Sequence, residues 1–462
     1  MNPSENQPHP HRRSRWLAWL GGVFGVLILA IVLGILYLHR PRPEDEQALA
    51  RLRSLGYPTS LKELADQAPI VRDEDNICQA ALNFAELLQE ASGDRVPFVS
   101  RGKSEELRGE PWPEETLKAA REYVEQNSEA FALAPQILSR TQGANDLQYS
   151  KGFELLLPHL AKLKSVAQAL ALRAGLAAEE RRPSDSVRDI LTILNLSHGL
   201  NEEPLLISQL VRLAIQGIAI KATEELINRL EVPDSELAML QQALVRVAAV
   251  QRLDRCLATE LALGLDLYSS PEKLARLGLT ENGSARSGVM TAGISIYSAL
   301  GLIKMERATH IRFLSEFIQI SRLPSWDRAK PMAQWEAEIK QVGARRRPGA
   351  FFVLMMLPAL AKASEKESVH RAQTQCAATA VALERYRLAH GGNRPDTLQA
   401  LVPSWLDSVA LDPFDGQPLR YQNLTGGYAI YSIGPNLKDD QGLEQVKGRS
   451  GNDHDIPFVV ER

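Results

Sequence analysis

Cysteine is scarce in this 462-residue chain. Its three copies, Cys78, Cys256 and Cys376, are odd in number and lack metal-ligand spacing, so they cannot all pair within one chain. Each lies among apolar, helix-forming neighbours, where cysteine acts as a small buried hydrophobe. The short catalytic signatures are missing too. HExxH, GxxxxGK[ST], GxSxG and Cys-x-x-Cys do not occur, and the nine histidines show no i, i+4 pair that would place two ligands on one helix face. Net charge is also nearly absent: 53 basic against 56 acidic side chains leave -3, so no global field draws the chain to nucleic acid. Disorder is excluded by a hydrophobic content of 44%, which at this length supports two or three compact domains. A hydrolase built from dispersed carboxylates stays open, because such sites leave no local pattern.

What the chain does have is an uncharged apolar run from Trp16 to Leu38, WLAWLGGVFGVLILAIVLGILYL. About 20 such residues cross a bilayer as a helix, and Trp16, Trp19 and Tyr37 stand where interfacial aromatics stand. A cleaved signal has a shorter apolar stretch and small residues at the cut, whereas Tyr37-Leu38-His39-Arg40-Pro41 follows here, so the helix is expected to remain attached. Arg12, Arg13 and Arg15 precede it, while acidic Glu44, Asp45 and Glu46 follow Arg40 and Arg42. Positive-inside weighting then predicts a cytoplasmic N-terminus.

From 43 to about 265 the pattern predicts successive amphipathic helices broken by Pro, Gly and Asp-Ser clusters. Ser60-Leu61-Lys62-Glu63 has capping-box spacing, and Pro183-Ser184-Asp185 and Pro233-Asp234-Ser235 are helix starts with Ser or Asp caps. No fixed repeat period emerges, which favours an irregular antiparallel bundle over a solenoid. Gly264 to Ile303 reads as a loop followed by a buried helix over Val289 to Ile303, an apolar stretch too short to cross a bilayer comfortably. His159 and His198 could approach each other, with a structural role favoured, and Glu260 in Leu257-Ala258-Thr259-Glu260-Leu261 is the candidate acid with a raised pKa.

The texture changes near Arg345. An apolar stretch, Ala350 to Ala361, leads into a polar helix to about Ala389. A short helix follows Asn393-Arg394-Pro395-Asp396 through Leu398 and Leu401. Asp412-Pro413 and Asp415-Gly416 mark turns, and Leu419 to Asn423 with Tyr428 to Ile433 read as a β-hairpin. The order of Leu383-Glu384-Arg385-Tyr386-Arg387, Asp412-Pro413-Phe414-Asp415-Gly416, Tyr428 to Tyr431 and Ser432-Ile433-Gly434-Pro435-Asn436 resembles the C-terminal part of the major pseudopilin of type II secretion systems, over about residues 350 to 460. The resemblance implies a long helix carrying a small antiparallel sheet, and a calcium-binding loop near the C-terminus. The corresponding loop holds Asp439, Asp440, Asn452, Asp453 and Asp455. It makes Asp453 and Asp455 the first calcium ligands to consider, then Asp440, since calcium takes about six to eight hard oxygens. Lys438, Lys447 and Arg449 compete for these acids.

Two features depart from that family. The N-terminus lacks a pilin-type cleavage motif, and the faint internal match, Gly349-Ala350-Phe351-Phe352-Val353-Leu354, has Leu354 at the glutamate position. Standard filament assembly is therefore not implied. The helical part, through Asp75-Asn76-Ile77-Cys78-Gln79-Ala80-Ala81 and Leu205 to Ile220, looks like uncharacterised membrane-anchored proteins of planctomycete-type bacteria, a likeness that implies no activity.

Together these readings predict a mainly α protein: an N-terminal transmembrane helix, an irregular antiparallel helical bundle and a small α+β pseudopilin-like C-terminal module with an antiparallel sheet. The divisions are a cytoplasmic tail at 1–15, the transmembrane helix at 16–38, a helical extracytoplasmic domain at 43–345 and the end module at 346–462. The expected location is a bacterial inner membrane, single-pass, with the bulk periplasmic. The expected role is a membrane-tethered scaffold that binds envelope proteins, with a periplasmic hydrolase or ligand-binding enzyme as the alternative.

Overall fold

The computed structural model describes residues 19, 23–24, 26–30, 32–34, 36–37, 40, 42–90, 97–99, 108–277, 286–345, 349–442 and 454–462. Beyond residue 42 the longer helices are α1 (Pro43–Ser54), α2 (Ile77–Leu87), α3 (Glu114–Gln126), α4 (Pro158–Glu179), α5 (Pro183–His198), α6 (Leu206–Arg229), α7 (Asp234–Ala249), α8 (Leu253–Leu267), α9 (Arg286–Ala299), α10 (Leu302–Ser321), α11 (Ala329–Ala344) and α12 (Phe351–Ala389). A three-stranded antiparallel sheet, β1 (Arg420–Leu424), β2 (Gly427–Ser432) and β3 (Ile456–Val460), closes the chain. The fold is mainly helical with one small sheet, as the periodicities require.

Two large apolar cores form. One joins α2 to α7 with the second half of α12 and the sheet, through residues such as Phe84, Leu170, Ile190, Leu226, Val381 and Tyr428. The other joins α1, α8, α10, α11 and the first part of α12, around Phe313, Phe317, Trp335 and Leu357. Helix α12 is 39 residues long, about 58 Å at the α-helical rise, and lends its N-terminal third to one core and its C-terminal half to the other. The segment from 346 onward therefore shares its interior with residues 77–244.

Local signals worked through partners the sequence could not name. Ser60 caps its helix by accepting the Glu63 amide at 3.2 Å, while the Glu63 carboxylate reaches the amide of Thr59, at 2.7 Å, one residue before the usual capping-box position. Helices α5 and α7 begin where expected, but neither has a side-chain cap. Ser184 instead donates to Glu236, tying the two helix starts together, and Asp185 takes Arg182 and Arg188.

The stretch Val289 to Ile303 is not one buried helix. Helix α9 stops at Ala299, Gly301 at φ +76 turns the chain, and α10 begins at Leu302. Ile296 is 62% exposed, while Ile294 and Tyr297 on the same helix pack into the second core.

The hairpin forms with each strand one residue nearer the turn than expected, Leu424 lying opposite Gly427 around Thr425-Gly426. Strand β2 is central and fully buried. The outer edge of β3 would expose unpaired amides, a hazard for association. Side chains of α6 satisfy it: Glu224 accepts from the Val459 amide at 2.9 Å, and Asn228 accepts from the Glu461 amide at 2.7 Å while donating to the Val459 carbonyl at 2.9 Å.

Of the expected transmembrane span at 16–38, the described residues at 19, 23–24, 26–30, 32–34 and 36–37 are helical and exposed. Among the described residues one helix, α6, is long and apolar enough to cross a bilayer. It is a core helix, half buried over its most apolar window, and its buried side carries Ser208, Gln209, Arg212, Gln216, Thr223 and Asn228.

Candidate functional site

A cleft of about 640 Å³ opens between α3, the short helix Ala134–Ser139, the end of α4 and the start of α5. Its volume lies within the range typical of ligand sites, about 300 to 1,000 Å³. Its floor is apolar, formed by Phe131, Ala134, Leu176 and Ala177, all nearly or fully buried. At one side Arg173 grips the buried Asp189 with two hydrogen bonds, at 2.8 and 2.5 Å, and stacks over Phe131 at 4.4 Å. Burial pushes the Asp189 carboxyl up, and the Arg173 guanidinium opposes that. Arg182, Asp185 and Arg188 form the rim, joined by ion pairs of 2.5 and 3.0 Å. Three guanidinium groups and two carboxylates line the cleft over an apolar floor, and Arg182 is also paired with Glu180 at 2.7 Å. Compared with known proteins, the chain matches no family model, no curated protein and no solved structure.

Sequence reasoning did not find this cleft. Four of its charged residues lie within 182–189, but the packing of α4 on α5 is what brings Arg173 to Asp189 beside the apolar floor. One signal was readable: Asp189 interrupts the apolar side of α5 between Val187 and Ile190, a position where an unpaired carboxylate is costly.

Glu260, the nominated acid, is placed elsewhere, on α8 at the start of α6. It keeps a little accessible surface yet is densely enclosed, and the enclosure pushes its carboxyl from 4.5 up to about 7. The Leu206 amide at the first turn of α6 donates to it and partly opposes the shift. Glu306 does the same for α12. It is fully buried and accepts from the amides of Phe351, Phe352 and Val353 and from the Tyr297 hydroxyl. Both carboxylates lie where a helix presents free amides and the positive end of its dipole. Their geometry explains them as helix caps supplied from other helices.

His159 and His198 flank one loop but do not share a partner. His159 Nε2 is 3.1 Å from both oxygens of buried Glu203, which also receives Asn145 at 2.9 Å and the Ser208 hydroxyl. The Ser208 proton thus points at the carboxylate and not at the imidazole, so the group lacks the nucleophile-to-base contact of a catalytic triad. His198 Nδ1 accepts from the Asn201 side-chain amide at 2.7 Å near the end of α5. The cysteines are free and buried. Burial pushes the Cys78 thiol up to about 12, and Cys256 and Cys376 still further, which leaves them protonated and inert. The Asp75 to Ala81 stretch is a structural junction: Asn76 caps α2 through the Cys78 amide at 3.0 Å, clasps Ala144, and Cys78 Sγ meets the Gly199 carbonyl at 3.2 Å.

At the C-terminal loop, Asp440 and Asp455 come together and Asp453 lies outside the described residues. Asp455 is buried and spends its oxygens on the amides of Asp440, at 3.3 Å, and Gly442, at 2.6 Å; Asp440 accepts from Asn436 at 3.0 Å. Burial raises the Asp455 carboxyl, and the nearby charges of Asp439 and Asp440 add to the rise. Among the described residues no group of three or more His, Cys, Asp or Glu side chains is placed to hold a metal ion. Asp412 of the Asp-Pro-Phe-Asp-Gly turn has a clearer task. Fully buried, it accepts from the amides of Phe414 and Ile433, from the Ser432 hydroxyl and from Arg420, pinning the turn to the end of β2.

Proposed function

We propose that this protein is a membrane-tethered, extracytoplasmic scaffold that binds other envelope proteins, with a pseudopilin-like end module held firmly to its helical region. The observation that carries the tether is the helix over the described residues between 19 and 37. Trp19, Phe24, Val26, Leu33 and Leu36 on it are 56 to 68% exposed, with no charge between Trp16 and Leu38. Such a surface needs a bilayer or a partner. The bulk would lie in the periplasm. The arginine-lined cleft over an apolar floor supports binding of a partner segment that pairs an apolar side chain with an acidic one. The experiment is a pull-down of the full-length chain from crosslinked membranes, with Arg173→Met and Arg188→Glu variants alongside. The reading expects alkali-resistant membrane association and a reproducible protein partner weakened by the cleft variants. Extraction by alkali, or no reproducible partner, would overturn it.

Calcium belongs to the same reading as a stabiliser of the end loop, with Asp440, Asp453 and Asp455 as ligands. The closeness of Asp440 and Asp455 supports it, and the amide bonds already made by Asp455 weigh against it. Calorimetric titration of the full chain with calcium tests it: one site is expected, weakened in Asp440→Asn and Asp453→Ala.

The second reading, a hydrolase or ligand-binding enzyme, draws on the cleft volume. Its acid would have to be Asp189, whose two oxygens are both held by Arg173, while Glu260, whose carboxyl is pushed up to about 7, is at a helix start and not among the residues lining the cleft. Binding is therefore the better use of this geometry.

A further inference from the structure

The seam between the two cores contains an arginine without a counterion. Arg212 of α6 is 2% exposed, and among the described residues its single hydrogen bond runs from Nε to Gln209 Oε1 at 2.6 Å. A guanidinium carries five N–H donors and stays charged, so burial in this state is costly. Desolvation lowers its pKa from 12.5 to about 10, which still leaves it protonated at neutral pH. Arg212 lines a cavity of about 20 Å³, whose other walls include Gln216, Gln251, Glu367, His370 and Arg371. That is room for one water-sized body.

The charges around the cavity do not cancel. Glu367 is committed to Arg328 at 3.0 Å, and Arg328 also holds Gln251 at 3.0 Å. Arg371, like Arg212, makes no ion pair among the described residues, and burial lowers its pKa as well. His370 is neutral, its pKa pushed down to about 3, and its Nε2 is bonded to Gln216 at 2.7 Å. Two arginines without an ion pair thus line one space beside the Glu367 carboxylate, which is paired with Arg328 and whose charge favours both; Arg212 is buried and Arg371 half-buried.

We infer that this cavity is a binding site for a small monovalent anion of halide size, held by Arg212 and Arg371. The site joins α6, the link between α7 and α8, and the middle of α12 where that helix passes from one core to the other. An anion there ties the two cores together, so its binding energy adds to folding stability by linkage. Phosphate or a carboxylic acid is too large for the space without repacking.

The test is thermal unfolding of the full-length chain in detergent, in sodium chloride or bromide against sodium gluconate at equal ionic strength. A saturable rise in Tm of roughly 5 °C in the halide salts is expected. Arg212→Gln and, separately, Arg371→Gln should lose most of that rise while keeping the Tm seen in gluconate within a few degrees. Crystals grown with bromide should show an anomalous peak between the two guanidinium groups. Equal Tm in the two salts, a halide effect unchanged in Arg371→Gln, or water with no bromide peak at that position would each overturn the proposal. Should Arg212→Gln fail to fold, Arg371→Gln and the bromide peak decide.

Discussion

A carboxyl enclosed as Glu260 is binds its proton more tightly folded than unfolded, with a pKa of about 7 against 4.5. Its contribution to stability is therefore complete below pH 4.5 and is lost as pH rises through 7, at up to about 1.4 kcal/mol per unit. His310 and His370 act in the other direction. Both are buried and neutral, lowered from 6.5 to about 4 and about 3, so their contribution is present above 6.5 and is lost as pH falls through those values. The expected outcome is that Glu260→Gln matches the parent near pH 4 and is more stable at pH 8, removing the alkaline decline and leaving the acid one. Urea unfolding at a series of pH values checks this. Packing sets a second residue-scale prediction. A Cβ on Gly175 would come within 2.6 Å of the Trp112 ring, which lies beneath Arg229, so Gly175→Ala should cost about 1 to 3 kcal/mol by chemical denaturation.

Among the elements, α12 is capped from outside by the buried Glu306, and α6 begins beside the enclosed carboxyl of Glu260. Glu306 serves three amides of α12 and the Tyr297 hydroxyl, and Tyr297 in turn receives the Gly349 amide at 3.0 Å. Removing the carboxylate strands all of these inside the protein. Glu306→Ala should cost about 3 kcal/mol or more, and Glu306→Gln less, read as the shift of the urea midpoint. Helix α6 shows why length and hydropathy alone mislead. It satisfies the test for a membrane span, yet its buried side carries two glutamines and an asparagine engaged with neighbouring elements, and an arginine bonded within the helix to one of those glutamines.

For the whole molecule, the decisive feature is that residues on either side of 345 build both apolar cores together. Tyr428 on β2 is buried, its hydroxyl 3.1 Å from Glu384 of α12, and β3 has its outer edge closed by α6. A fragment of 346–462 should therefore lack a cooperative unfolding transition, and a fragment ending at 345 should expose the α6 and α7 surfaces that α12 and the sheet now cover. Circular dichroism with thermal melts of the two fragments, alone and mixed, tests this. Independent cooperative melting of both would show that the shared core is dispensable.

How much was legible follows from the range of the forces involved. The sequence by itself determined the helix starts at Ser60, Pro183 and Pro233, the hairpin around Thr425-Gly426, the turn at Asp412 and the uncharged apolar run at 16–38. Those depend on backbone propensity, capping and periodicity within a few residues. Tertiary structure alone decided that Glu260 caps a helix, that α6 seals β3, that Arg173 and Asp189 share a cleft and that Arg212 and Arg371 face one cavity. Electrostatics and close packing act through space, and these partners are brought together from distant parts of the chain only when the cores form.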